Sequence, residues 1–206
     1  HETTVESKIV GILVNDALVQ SAPADKECWI ITAKSPFFVT TGGQVDDRGT
    51  VTLSGQSTPL LGLQKLNNKH AIGVLIKAPF VLKVGDTVTQ TVTVNIRRMT
   101  MNNHTATHLL QAALIELLGK QVKQSGSVVT PDHLRFDFTY HKNLTPEEIK
   151  IVEDRVNEKI MENIAVDIFE TTHKKALERG VIAIFGEKYN LEKVRVVDVP
   201  GFSAEL

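Results

Sequence analysis

The sequence predicts an α+β chain in two parts, a small β-barrel over residues 1–95 followed by an α/β domain over residues 96–206. Three observations predict it. Short segments rich in β-branched residues, separated by Gly, Pro and polar breaks, fill the first part. After about residue 96 the apolar period lengthens from two to three and four, the spacing of a helix. No long linker separates the halves, so they are expected to pack together. A barrel is the natural closure of the first part because it removes exposed strand edges.

In chain order, the predicted strands are Lys8–Val14, Cys28–Ala33, Thr50–Leu53, Ala71–Ile76 and Thr87–Asn95. Val84-Gly85-Asp86 supplies a turn before the last of them, where valines fall on one face and threonines on the other. A helix is predicted over His104–Leu118, where Ala106, Leu109, Leu110, Ala113, Leu114, Leu117 and Leu118 cover one side and Gly119 is the stop. A second helix opens at Leu144-Thr145-Pro146-Glu147-Glu148-Ile149. Thr145 is its N-cap, Pro146 its first residue and Glu148 the partner in a capping box, with Leu144 stapled to Ile149. Ile149, Val152, Val156 and Ile160 form the expected buried stripe. A short third helix runs from Thr172 to Gly180, and Leu134–Phe138, Ala165–Glu170, Ile182–Phe185 and Val194–Val199 are predicted strands.

Composition narrows the classes. No apolar run approaches the roughly 20 residues that cross a bilayer. Net charge is −1, with 8 basic against 8 acidic residues up to residue 94 and 15 against 16 beyond it, so neither half has the basic excess of a general nucleic-acid binder. Any RNA contact must then be local, with Arg97 and Arg98 as the best candidates, although adjacent arginines also serve as a solvated face. The single cysteine, Cys28, has no disulfide partner and, between Glu27 and Trp29, reads as a half-buried strand residue rather than an activated thiol. A cytosolic, reducing compartment fits best. The opening HETTVESKIV has neither an initiator Met nor a signal-like pattern, which suggests a piece of a longer protein.

His104-Thr105-Ala106-Thr107-His108 places two imidazoles four residues apart, one helical turn from each other, where both can reach a single Zn²⁺. Taken alone the pattern reads as a metal pair or as a capped helix start. Thr105 excludes the metalloprotease version, which needs a glutamate directly after the first histidine. Zinc takes three or four protein ligands, and no second pair at metal spacing exists: Cys28 lies in the other part, and His133, His141 and His173 read as surface residues. The site is incomplete as written. Gln121–Ser127 is a polar segment, either a surface turn or one that swings an amide and a hydroxyl toward the metal face. In Thr41-Gly42-Gly43-Gln44 the paired glycines either let backbone N–H groups approach a ligand or make a tight turn.

Taken together, FFVTTGGQVDDRG (37–49), NNHTATHLLQAAL (102–114), QVKQSGSVV (121–129), LRFDF (134–138), LTPEEI (144–149), VIAIFGEKY (181–189) and VRVVDVPGFSAEL (194–206) resemble, in order and spacing, the alanyl-tRNA synthetase family. The resemblance covers nearly the entire chain and, in its second half, extends to the free-standing AlaX relatives. It implies a β-barrel followed by an editing domain similar to that of threonyl-tRNA synthetase, which hydrolyses tRNA(Ala) mischarged with serine or glycine. Residue by residue it implies His104 and His108 as zinc ligands, Gln124 as a polar residue of the catalytic site and Ser125 as a contact to the substrate side chain. Gly42, Gly43 and Gln44 become the glycine-rich loop that the barrel lends to the pocket. In the family a cysteine and a histidine of a CGGTH-type segment follow the SxEL stretch that ends here at Leu206, which accounts for the missing ligands. ATP-dependent alanine activation belongs to a part of the parent that is absent from this sequence. For a general base the nearest carboxylate is Asp137, which also reads as the structural partner of Arg135. The alternatives are the editing part of a threonyl-type synthetase, against which the long barrel with TTGGQ argues, and a non-catalytic tRNA-binding or structural module.

Overall fold

The computed structural model of the chain describes residues 2–66, 71–182 and 190–206. It divides into two compact units, His1–Met101 with Thr130–Asp132, and Asn102–Val129 with His133–Leu206.

The first unit contains β1 (Thr4–Val14), β2 (Ala17–Val19), β3 (Ser21–Ala22), β4 (Glu27–Thr32), β5 (Gly49–Leu53), β6 (Gln56–Lys65), β7 (Ile72–Lys77), β8 (Leu82–Lys83) and β9 (Thr87–Val92). Six of these close a ring: β1 pairs with β4, β4 with β7, β7 with β6, β6 with β5, β5 with β9, and β9 returns to β1, every pairing antiparallel. The expected barrel is therefore present and closed. Alternation drives it: Val5, Ser7 and Ile9 of β1 point inward, and a register shift between Ile9 and Gly11 then turns Ile12 inward as well. Ile9, Ile12, Ile30, Val51, Val74, Ile76 and Val88 fill the interior.

β9 departs from a simple valine face. Its inward residues are Val88, Gln90 and Val92, and Gln90 is fully buried. The Gln90 amide nitrogen donates to Thr32 Oγ1 at 2.9 Å and to the Lys34 carbonyl at 3.0 Å, while its carbonyl accepts from Ser35 Oγ at 3.0 Å. A buried amide so provided for costs little.

The helix α1 (Val94–Leu118) starts ten residues before the predicted His104, and Val94 and Asn95 belong to it rather than to the preceding strand. Its first turns escape apolar-period reading because Val94, Met99 and Met101 face solvent. Arg97 is committed there: its Nε donates to Asp47 Oδ1 at 3.0 Å, a second guanidinium nitrogen pairs with Asp47 Oδ2, and the same nitrogen donates to the Pro36 carbonyl at 2.7 Å. Asp47 also accepts from the Phe38 backbone N–H. Of the two candidate RNA-contacting arginines, only Arg98 is exposed.

In the second unit α1 is followed by the hairpin β10 (Lys123–Val129) and β11 (Leu134–Thr139), then α2 (Pro146–Met161), β12 (Asp167–Thr171), α3 (His173–Glu178), β13 (Val194–Val199) and β14 (Ser203–Glu205). β12, β13 and β14 form an antiparallel sheet in that order. Ala113, Leu114 and Leu118 of α1 pack with Val122 and with Val152 of α2, and Phe136, Phe138 and Phe202 lie against this cluster. Thr145 caps α2 with the full capping box. The expected stripe on α2 is narrower than its spacing suggests: Val152 is buried, but Ile149 and Ile160 are 52% and 51% exposed, while Leu144 packs on the α1 cluster. Thr172 caps α3, and Gly180 follows it with a left-handed φ of 77°. Of the predicted strand Ile182–Phe185, Ile182 makes a parallel bridge to Glu205 and the remainder lies outside the described residues. No helix among the described residues is long and apolar enough to cross a membrane.

Candidate functional site

The His104-to-Leu118 part of α1 is helical because its apolar residues recur on one side, and its threonines are accommodated locally. Thr107 Oγ1 donates back to the Asn103 carbonyl at 2.9 Å, which removes an otherwise unpaired buried hydroxyl. One turn apart on this helix, the His104 and His108 rings meet edge to face with centroids 5.2 Å apart. Burial lowers the pKa of both. For His104 desolvation comes first and the Arg195 guanidinium adds to it; for His108 desolvation, then His104, then Arg195 bring the value down to about 4. At neutral pH both rings are uncharged, the state in which imidazole ligates a metal.

Behind His108 lies Glu205 of β14, 5% exposed, with Oε2 3.8 Å from His108 Nδ1. Burial raises the carboxyl to about 8, only partly opposed by the hydrogen bond from Ser203. The distance alone suggests an ion pair, but burial favours two neutral groups, and the buried positions of both side chains decide for the latter. Among the described residues, His108 Nδ1 and Gln111 Oε1 are buried with no hydrogen-bond partner. Gln111 follows His108 by three residues on the same side of α1. An unsatisfied buried polar atom costs about 1–3 kcal/mol, so two on one face mark this stretch as something other than packing.

β10 corrects the reading of Gln121–Ser127 as a loose segment: Lys123 onward is a strand paired with β11. Gln124 stands opposite Phe138 and Gly126 opposite Asp137, which leaves Ser125 as the extra residue of a bulge. A bulge re-aims a side chain, and Ser125 is exposed there. A Cβ at Gly126 would lie 2.7 Å from Asp137 Oδ2, the far end of a side chain that can shift to admit it. Asp137 is paired with Arg135, 3.0 Å from its guanidinium, in agreement with the structural reading of that carboxylate. Gly42 and Gly43 have φ of 56° and 78°, and Gln44 N–H returns to the Thr41 carbonyl at 3.0 Å, so this segment of the first unit is a tight turn with both central residues left-handed.

The structure thus brings His104 and His108 together, places Gln124 and Ser125 on the β10–β11 hairpin, and leaves His133 and His141 exposed and His173 half-buried. No group of three or more His, Cys, Asp or Glu side chains in metal-holding geometry occurs among the described residues. Sequence reasoning gave no role to Gln111 or Glu205. Gln111 was detectable as a polar residue on the histidine face, whereas Glu205 is far from His108 in sequence and only the sheet brings it there.

No family model matches the chain. Its whole length is 44% identical to an alanine–tRNA ligase of Listeria monocytogenes, 40% identical to one of Acetivibrio thermocellus and 42% identical to one of Solibacter usitatus. The chain spans 23% of the length of each of these relatives. With such identity sustained from its first residues to its last, the chain belongs to the alanine–tRNA ligase family, as a segment about a quarter as long as the relatives it matches.

Proposed function

We propose that this chain is the proofreading portion of an alanine–tRNA ligase, which hydrolyses the ester joining serine or glycine to the terminal adenosine of tRNA(Ala). The observation that carries the reading is the pair of neutral imidazoles on one face of α1, with a buried polar atom of His108 left unsatisfied. The need for such a step is physical. A pocket that admits alanine rejects glycine by only about 1–3 kcal/mol, and an apolar site discriminates against an added hydroxyl by only about a hundredfold.

His104 and His108 suit zinc as two of its ligands: both rings are uncharged at neutral pH and one turn apart. Further ligands are assigned to the CGGTH-type segment that follows SxEL in the family. Zinc held by these residues would supply Lewis-acid chemistry to the aminoacyl end. Gln124 is assigned to orient the ester, so that an attacking water and a donor for the oxyanion are aligned. Ser125, turned outward by the bulge, is assigned to the hydroxyl or hydrogen of the wrong amino acid, and Gly42, Gly43 and Gln44 are assigned to substrate binding, with the Gln44 N–H itself held by the Thr41 carbonyl. Asp137 is paired with Arg135, which favours a structural role for its carboxylate. Alanine activation with ATP is assigned to another part of the parent enzyme, at work in the cytoplasm, and the second unit is assigned the editing fold of threonyl-type synthetases.

Deacylation of Ser-tRNA(Ala), Gly-tRNA(Ala) and Ala-tRNA(Ala) by the full-length parent, with zinc content measured on the same sample, tests this reading. The expected result is selective loss of serine and glycine, abolished by His104→Ala, His108→Ala or Gln124→Ala with aminoacylation intact. Undiminished serine release by all three variants would instead favour a non-catalytic, tRNA-binding module.

A further inference from the structure

Ser203 Oγ donates to Glu205 Oε1 at 3.2 Å, which occupies one carboxyl oxygen and leaves Oε2 turned toward His108 Nδ1 at 3.8 Å. Both partners are buried, His108 9% and Glu205 5% exposed, and Nδ1 has no hydrogen-bond partner among the described residues. β14 is itself fixed: Ser203 pairs with Val199, Ala204 with Asp198 and Glu205 with Val197, while Ile182 bridges to Glu205 from the other side. The carboxyl is therefore carried on an element tied on both edges, and the one ring nitrogen it faces is the one that lacks a partner. We propose that Glu205, steadied by Ser203, is the positioning residue of His108: its carboxyl oxygen Oε2 accepts Nδ1–H and holds the ring so that Nε2 carries the lone pair a metal requires.

This rests on the reading of His108 as a zinc ligand, but its geometry is a property of the chain itself. Ligating histidines generally donate their second N–H to such a partner, and loss of that partner costs about 10–100-fold in metal affinity. The Arg195 guanidinium adds positive potential near the ring and supplies no acceptor for Nδ1–H.

The test is two-bond ¹H–¹⁵N correlation of ¹⁵N-histidine-labelled protein without metal. Expected are an Nδ1–H tautomer for His108 in the unsubstituted chain, its loss in Glu205→Leu, and its retention in Glu205→Gln, whose amide oxygen still accepts. An Nε2–H tautomer in the unsubstituted chain overturns the proposal without any variant, and so does an Nδ1–H tautomer that survives Glu205→Leu. In zinc titrations against a competing chelator, Glu205→Leu is expected to bind about 10–100-fold more weakly and Glu205→Gln close to normal. A chain that takes up no zinc yet shows the expected tautomers refutes the metal reading and leaves the positioning role standing.

Discussion

Replacing Asp47 by Ala strips three donors of their acceptor at once: two guanidinium nitrogens of Arg97 and the backbone N–H of Phe38. The Asp47 and Arg97 side chains are only 4% and 11% exposed, so water does not readily take the place of the carboxylate. Removing one partner of a buried pair leaves an uncompensated charge and costs about 3–5 kcal/mol. Arg97 keeps its bond to the Pro36 carbonyl, which puts the expected loss near the middle of that range, about 4 kcal/mol. The single tryptophan, Trp29, lies in β4, so its fluorescence during urea unfolding follows the barrel unit. With an m-value of about 2 kcal/mol/M, the midpoint should fall by about 2 M. The double variant Asp47→Ala/Arg97→Met strands no charge and should cost less than the two single losses combined, with a coupling of about 2 kcal/mol. A loss below about 1 kcal/mol for Asp47→Ala, or strict additivity in the cycle, refutes the account of this pair as the clasp between the 36–48 loop and the start of α1.

Gly49→Ala drives a Cβ onto the Thr91 carbonyl oxygen and to 2.6 Å from the Phe37 ring; because the first obstacle is backbone, a loss of about 3 kcal/mol is expected by the same fluorescence titration, and a neutral variant contradicts the close β5–β9 approach. Thr145→Ala removes the cap of α2 and should lower the stability of the second unit by about 1 kcal/mol, seen as faster amide exchange over the first turn of that helix. The metal-free second unit should also show opposed pH effects. His108, lowered from 6.5 to about 4, binds more protons unfolded, so its contribution is present above 6.5 and lost as pH falls toward 4; Glu205, raised from 4.5 to about 8, contributes fully below 4.5 and loses that contribution as pH rises through 8. The two slopes offset each other between 4.5 and 6.5, and stability should decline between 6.5 and 8. Amide exchange in the α1 core across that range checks this, and a rise above 6.5 contradicts the assigned protonation states.

Periodicity made the closed barrel, the His104-to-Leu118 helix and the capped start of α2 legible, because each is a local pattern of apolar spacing or hydrogen-bonding side chains. The first ten residues of α1 were hidden because Val94, Met99 and Met101 lie in solvent and bury no stripe. β10 was hidden because Gln124, Ser125 and Gly126 look like a turn, and only pairing with β11 makes them a strand with a bulge. The histidine pair needed nothing beyond helical spacing. Glu205 needed the β13–β14 pairing and the bridge to Ile182, contacts remote in sequence that no short motif encodes.

Gln90 gives the barrel a means of rejecting misassembly. Slipping β9 by one residue would turn threonines toward the apolar interior and expel the amide from Thr32, Lys34 and Ser35, so that several donors and acceptors would lose their partners together. Near-correct strand alignments are thereby heavily penalised, and ring closure should proceed as a single cooperative event rather than through a family of shifted sheets.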